Sequence, residues 1–181
     1  MGNIPSREVK LPEHILLKSA FRGLIDTHID RRISHLLTIG LVPPLSDFDP
    51  FQWNERTRCD RQEALLRIIR EIDRALLGSD YCSCAWQKKV QFISIEEYHT
   101  AMGTLTHAHF HIALMVEAKW RCRFDAQWEA KILPRIAIRL RELGFDPDIH
   151  LTTADERVAD YIGKNGDREE TDIHTRRTLR A

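Results

Sequence analysis

The run Thr106-His107-Ala108-His109-Phe110-His111-Ile112-Ala113-Leu114-Met115-Val116 constrains this chain more than any other stretch. Its apolar residues alternate with three histidines, and successive side chains of a strand point to opposite faces of the sheet. The run therefore predicts a β-strand with His107, His109 and His111 on one face. Ala108, Phe110, Ile112, Leu114 and Val116 lie on the other. The second face is apolar enough to pack on helices. The first offers three imidazoles in a row, and imidazole is the commonest metal ligand in proteins. Three on one face point to a metal site rather than to three unrelated structural histidines.

A chain of 181 residues with 43% hydrophobic content is large enough to bury one core without disulfides or metals as staples. No run reaches the ~18 apolar residues of a membrane span, and no apolar leader opens the sequence, so a cytoplasmic protein is expected. Met1-Gly2-Asn3-Ile4-Pro5-Ser6 matches the myristoylation pattern and is read as a coincidence. Cys59, Cys82, Cys84 and Cys122 lack zinc-finger spacing and are expected to be reduced and mostly buried. Lys plus Arg and Asp plus Glu number 27 each, which argues against coating nucleic acid through bulk charge. A local basic rim is still open to the chain. Arg31, Arg32, Lys88, Lys89, Lys119, Arg121 and Arg123 all stand near expected strand ends.

Around the histidine strand the sequence alternates elements. Helical spacing covers residues 11–30, and residues 33–42 read as a first strand closed by Pro43-Pro44. A loop over 46–57 leads to Asp60-Arg61-Gln62-Glu63, which has the form of a capping box. It opens a helix ending at Gly78. Residues 86–98 read as a second strand with Ile93 and Ile95 on one face and Ser94, Glu96 and Tyr98 on the other. A hairpin over 99–105 joins it to the histidine strand. Asp125 is expected to cap a helix to residue 143, kinked or started late by Pro134. A fourth strand over 149–153, a helix over 154–164 and a loose polar tail complete the chain.

The order β-α-β-β-α-β specifies an α+β fold, the split βαβ or ferredoxin-like arrangement: a central antiparallel sheet with both helices on one face. It predicts one domain, with residues 1–32 as an extension, 33–165 as the core and 166–181 as the tail. The histidines should lie on the open face. If the hairpin is as drawn, Glu96 falls opposite His107 or His109. A carboxylate beside two imidazoles suits Mg²⁺ or Mn²⁺. Glu96 is the favoured third ligand and His107 the alternative. Further on, Tyr161 and Lys164 are three apart and share one side of a helix.

Together, His109-Phe110-His111 on a central strand and the later Asp160-Tyr161-Ile162-Gly163-Lys164 resemble the HUH endonucleases, and among them the rolling-circle replication initiators. His35-Leu36-Leu37-Thr38-Ile39 resembles that family's first-strand motif, and Phe92-Ile93-Ser94-Ile95-Glu96 the strand that carries its acidic ligand. The resemblance implies a divalent ion, Mn²⁺ or Mg²⁺, held by His109, His111 and a third ligand. It implies Tyr161 as nucleophile, with Lys164 neutralising charge, and single-stranded or hairpin origin DNA as substrate. No phosphate-loop motif is present, so a separate helicase is the expected partner. A relaxase or transposase with the same chemistry is one alternative. Others are a small metalloenzyme in which Tyr161 is only core, and a non-catalytic ferredoxin-like nucleic-acid binder. The binder is the weaker of these, since RNA-binding sheets of this shape carry aromatics on the open face.

Overall fold

The computed structural model describes residues 33–43, 49, 52–54, 57–99, 105–154, 158 and 172–175. Five strands, β1 (His35–Val42), β2 (Gln91–His99), β3 (Leu105–Met115), β4 (Asp146–Thr153) and β5 (Asp172–Thr175), form one sheet. Its order is β4-β1-β3-β2-β5, and every neighbouring pair is antiparallel. The histidine strand is therefore central. Residues 172–175 pair with β2 as β5 where the sequence predicts a loose tail.

Helix α1 (Arg58–Leu77) buries Ala64, Leu65, Ile68, Ile69, Ile72, Ala75 and Leu76, the three- and four-residue spacing of one apolar stripe. Gly78 ends it with φ +71°, a left-handed conformation that a Cβ would penalise. The expected capping box does not form. The helix begins at Arg58 after Thr57, whose hydroxyl donates to the Trp53 carbonyl at 2.8 Å instead of capping.

The second helical run begins at Ala118 rather than at Asp125. It divides into α2 (Ala118–Gln127), a π-helical turn (Trp128–Ile132) and α3 (Leu133–Arg141). Phe124, Trp128, Ile132, Ile136 and Leu140 are all buried, each four residues from the last. In an unbroken α-helix a four-residue step turns about 400°, so such a stripe would drift by roughly 160° across the run. The wider π turn takes part of that drift back and keeps the stripe on the sheet. Pro134 follows directly on the π turn, at the point of the helical run where the regular hydrogen-bond ladder is already interrupted.

Both helical runs pack on one face of the sheet, against Leu37, Ile39, Leu41, Phe92, Phe110, Ile112, Leu114 and Val116. The opposite face is not open along its whole length. Ile93, Ile95, Ala113 and Val158 form a second small core there, with Leu36 and Met115 against it. The thiols also depart from expectation: Cys59, Cys82 and Cys122 are exposed and Cys84 is half-buried. Among the described residues no helix is long and apolar enough to cross a membrane.

Candidate metal centre

Cross-strand register decides which side chains meet. On the face away from the helices, His109 lies opposite Glu97 on β2 and Gly40 on β1. His111 lies opposite Ile95 and Thr38. Asp148 and His150 of β4 continue these two rows beyond Gly40 and Thr38. The result is a polar band across four strands. Asp148 and His150, at its outer edge, pair with each other at 3.0 Å and are well exposed.

At the inner end of the band, Glu97, His109 and His111 bring three ligand atoms within 4.8 Å of one another. His109 Nε2 stands 3.2 Å from Glu97 Oε2, and His111 Nε2 3.5 Å from the same oxygen. The two imidazole planes are perpendicular with centroids 4.9 Å apart. Thr38 Oγ1 lies 3.2 Å from His111 Nδ1 and fixes that ring by its other nitrogen. Such outer contacts orient a metal-ligating histidine.

The electrostatics favour an ionised carboxylate. Burial alone would raise the Glu97 carboxyl, but hydrogen bonds and charge from His109 and His111 outweigh it and hold it at about 2. Its second oxygen, Oε1, is buried with no hydrogen-bond partner among the described residues. A buried anionic oxygen left in this way is costly unless something binds it. Two imidazoles and a carboxylate form a donor set suited to a divalent ion of the first transition row. Three protein donors leave further coordination positions to water or substrate. The residues present therefore fit a divalent cation.

The expected third ligand, Glu96, does not join this group. It pairs with Phe110 in the ladder and so faces the helices, where it accepts from the Arg61 guanidinium. The physical reason lies in β2, which carries apolar residues on both faces. Phe92 faces the helices together with Ser94 and Glu96, while Ile93 and Ile95 face the histidine side. Assigning the isoleucines to the helix side inverts the strand. Phe92 was the available signal, because it shares a face with Glu96.

His107, the alternative ligand, lies outside the group. Its pKa is lowered, first by burial and then by His109, with Asp148 opposing. It reaches across β1: a methyl group on Gly40 would stand 3.4 Å from His107 Nε2 and 3.6 Å from Asp148 Cβ.

The basic rim is only partly described. Arg31, Arg32, Tyr161 and Lys164 lie outside the described residues. Lys88 and Lys89 precede β2 and Lys119, Arg121 and Arg123 follow β3, so these five gather at one end of the sheet. That end is about 20 Å of strand from His109, at ~3.3 Å per residue. Lys119 pairs with Glu117 at 2.7 Å. Arg121 donates to the Val116 carbonyl, and Arg123 lies over the Trp120 ring. The structure does not bring them to the histidines.

Comparisons with protein-family models, with characterised proteins and with solved structures returned no match.

Proposed function

We propose that this protein nicks and rejoins single-stranded origin DNA as a metal-dependent HUH endonuclease of the replication-initiator kind. The observation that carries the reading is the Glu97–His109–His111 group, with both histidines on the central strand β3 and the glutamate on the neighbouring β2, each donor from a fixed ladder position. The strand order β4-β1-β3-β2 supports a ferredoxin-like core with the site on the face away from the helices. A carboxylate beside the histidine pair, with His107 outside it, favours an initiator over a relaxase, whose typical set is all-histidine.

In this reading His109, His111 and Glu97 hold a divalent ion, Mn²⁺ or Mg²⁺, which supplies Lewis-acid polarisation of the scissile phosphate. Thr38 keeps His111 oriented. The Tyr161 hydroxyl, once deprotonated, attacks phosphorus. The bond to the 3′ oxygen breaks, and that oxygen takes a proton and leaves as a free 3′-hydroxyl. The 5′ end stays linked to Tyr161 as a phosphotyrosine. Lys164 offsets the negative charge that develops.

The test is covalent. Full-length protein incubated with labelled single strands of randomised sequence and Mn²⁺ should give an adduct that survives denaturing electrophoresis. Tyr161→Phe should abolish it while leaving the fold intact, because only one hydroxyl is lost. An adduct that persists in Tyr161→Phe, or none from the wild-type chain across the pool, overturns the reading.

A further inference from the structure

We propose that Arg61 is a positioning residue for the metal-binding carboxylate: from the helix side it holds β2 and β3 so that Glu97, not Glu96, faces His109 and His111. The inference rests on the reading of those three residues as a metal centre.

Two adjacent glutamates stand at the end of β2, and a one-residue slip of a strand exchanges its faces. Hydrophobic pattern usually prevents such a slip, but β2 mixes apolar and polar residues on both sides, with Phe92, Ser94 and Glu96 toward the helices and Ile93, Ile95 and Glu97 away from them. The pairing with β3 is regular as far as Glu97–His109 and then shifts between Glu97 and His99. Glu97 is thus the last regularly paired residue before an irregularity, and the choice between the glutamates needs a further determinant.

Arg61 supplies one. Its side chain is 3% exposed, as is that of Glu96. The guanidinium donates through Nε to Glu96 Oε1 and through Nη1 to the Asn54 carbonyl and, at 3.0 Å, to Thr57 Oγ1. Asn54 Nδ2 in turn donates to the Thr106 carbonyl at 2.9 Å. Arg61 and Asn54 therefore tie the start of α1 to both strands that carry the metal donors, one residue from Glu97 on β2 and three from His109 on β3. A buried ion pair contributes little net stability, and fixing one arrangement against another is its better-attested use. The planar fork also matters, because lysine would bring the charge without the fixed set of donors.

The experiment measures Co²⁺ binding by visible absorption and Mn²⁺ binding by calorimetry on four full-length proteins. These are the wild type, the double variant Arg61→Met/Glu96→Leu, Arg61→Lys, and Glu97→Gln as the ligand-loss control. Replacing both partners of a buried pair by apolar residues keeps the fold near its original stability. The double variant should therefore fold, yet bind both ions at least ~10-fold more weakly. Amide hydrogen-exchange protection over residues 95–97 and 106–109 should fall with it, and Arg61→Lys should lie between. Wild-type affinity within about two-fold and unchanged protection in the double variant overturn the proposal. If the double variant does not fold, Arg61→Lys carries the same comparison. A wild-type chain that binds neither ion overturns the metal-centre reading itself. Exchange at these amides then shows separately whether the tether exists.

Discussion

The two faces of this sheet both bury acidic residues, and they answer them differently. Toward the helices, Glu96 meets Arg61, a cation at every physiological pH. Away from the helices, Glu97 meets His109 and His111, whose nitrogens can give up a proton and take a metal. Adjacent residues of one strand thus sit in two kinds of environment. One is closed and permanently neutralised. The other is contacted by groups that can exchange what they hold. The difference teaches that a functional face is marked less by polarity than by the lability of the groups that satisfy it.

The strongest way to break this contrast is to substitute along β3. His109→Ala or His111→Ala should weaken Mn²⁺ or Co²⁺ binding by two orders of magnitude or more while the chain still folds, as titration calorimetry would report. Phe110→Ala, between them but fully buried on the helix side, should cost about 3–5 kcal/mol in chemical denaturation. Equal destabilisation by all three would mean that the histidines are core residues.

A finer test compares the two glutamates. Glu96→Gln leaves the Arg61 charge buried without its anion and should destabilise by about 3–5 kcal/mol in urea denaturation. Glu97→Gln should cost less stability and more metal affinity. The reverse outcome would exchange their assigned roles.

Acidification sharpens the contrast from another side. His35 and His107 both have lowered pKa values, chiefly through burial, so the unfolded chain takes up their protons first. Their contribution is present above the ordinary histidine value of 6.5 and is lost as pH falls through the lowered ones. Glu97, held near 2, adds a contribution that is full above about 4.5 and is lost as pH drops toward 2. Melting temperature should therefore fall steadily on acidification from pH ~7.5. His107→Gln should flatten the upper part of that curve, and an unchanged curve would show that His107 carries none of the dependence.

The smallest effect belongs to the far end of the sheet. Glu117→Gln breaks an exposed pair with Lys119 and should change stability by less than about 0.5 kcal/mol, with no effect on metal affinity.

Much of this fold is legible because long apolar periodicities state it. The alternation of residues 106–116 placed the histidines on one face, and the apolar stripe of α1 with Gly78 behind it gave that helix and its end. What failed was short or ambiguous. The apolar run 92–95 fits either phase of a strand, so it fixed neither which glutamate joins the histidines nor which side the isoleucines cover. Arg61 lies in the first turn of its helix, just before the apolar stripe, where only three-dimensional contact shows that it reaches Glu96. Residues 172–175 are too few to announce a strand without the β2 edge that receives them.

The contact between His109 and Glu97 has a consequence for how the site would fill. An ionised carboxylate can only accept, so the hydrogen in the 3.2 Å contact belongs to His109 Nε2. A cation needs the lone pair of a ring nitrogen, and the Nε2 of both histidines converge on Glu97. Loading would thus be a substitution rather than an addition, with protons leaving or moving to the far side of the rings as an ion arrived. At His111 a proton moved to Nδ1 would donate to the Thr38 hydroxyl oxygen, 3.2 Å away. Were a metal to bind there, hydrogen ions and metal ions would compete for the same ring nitrogens.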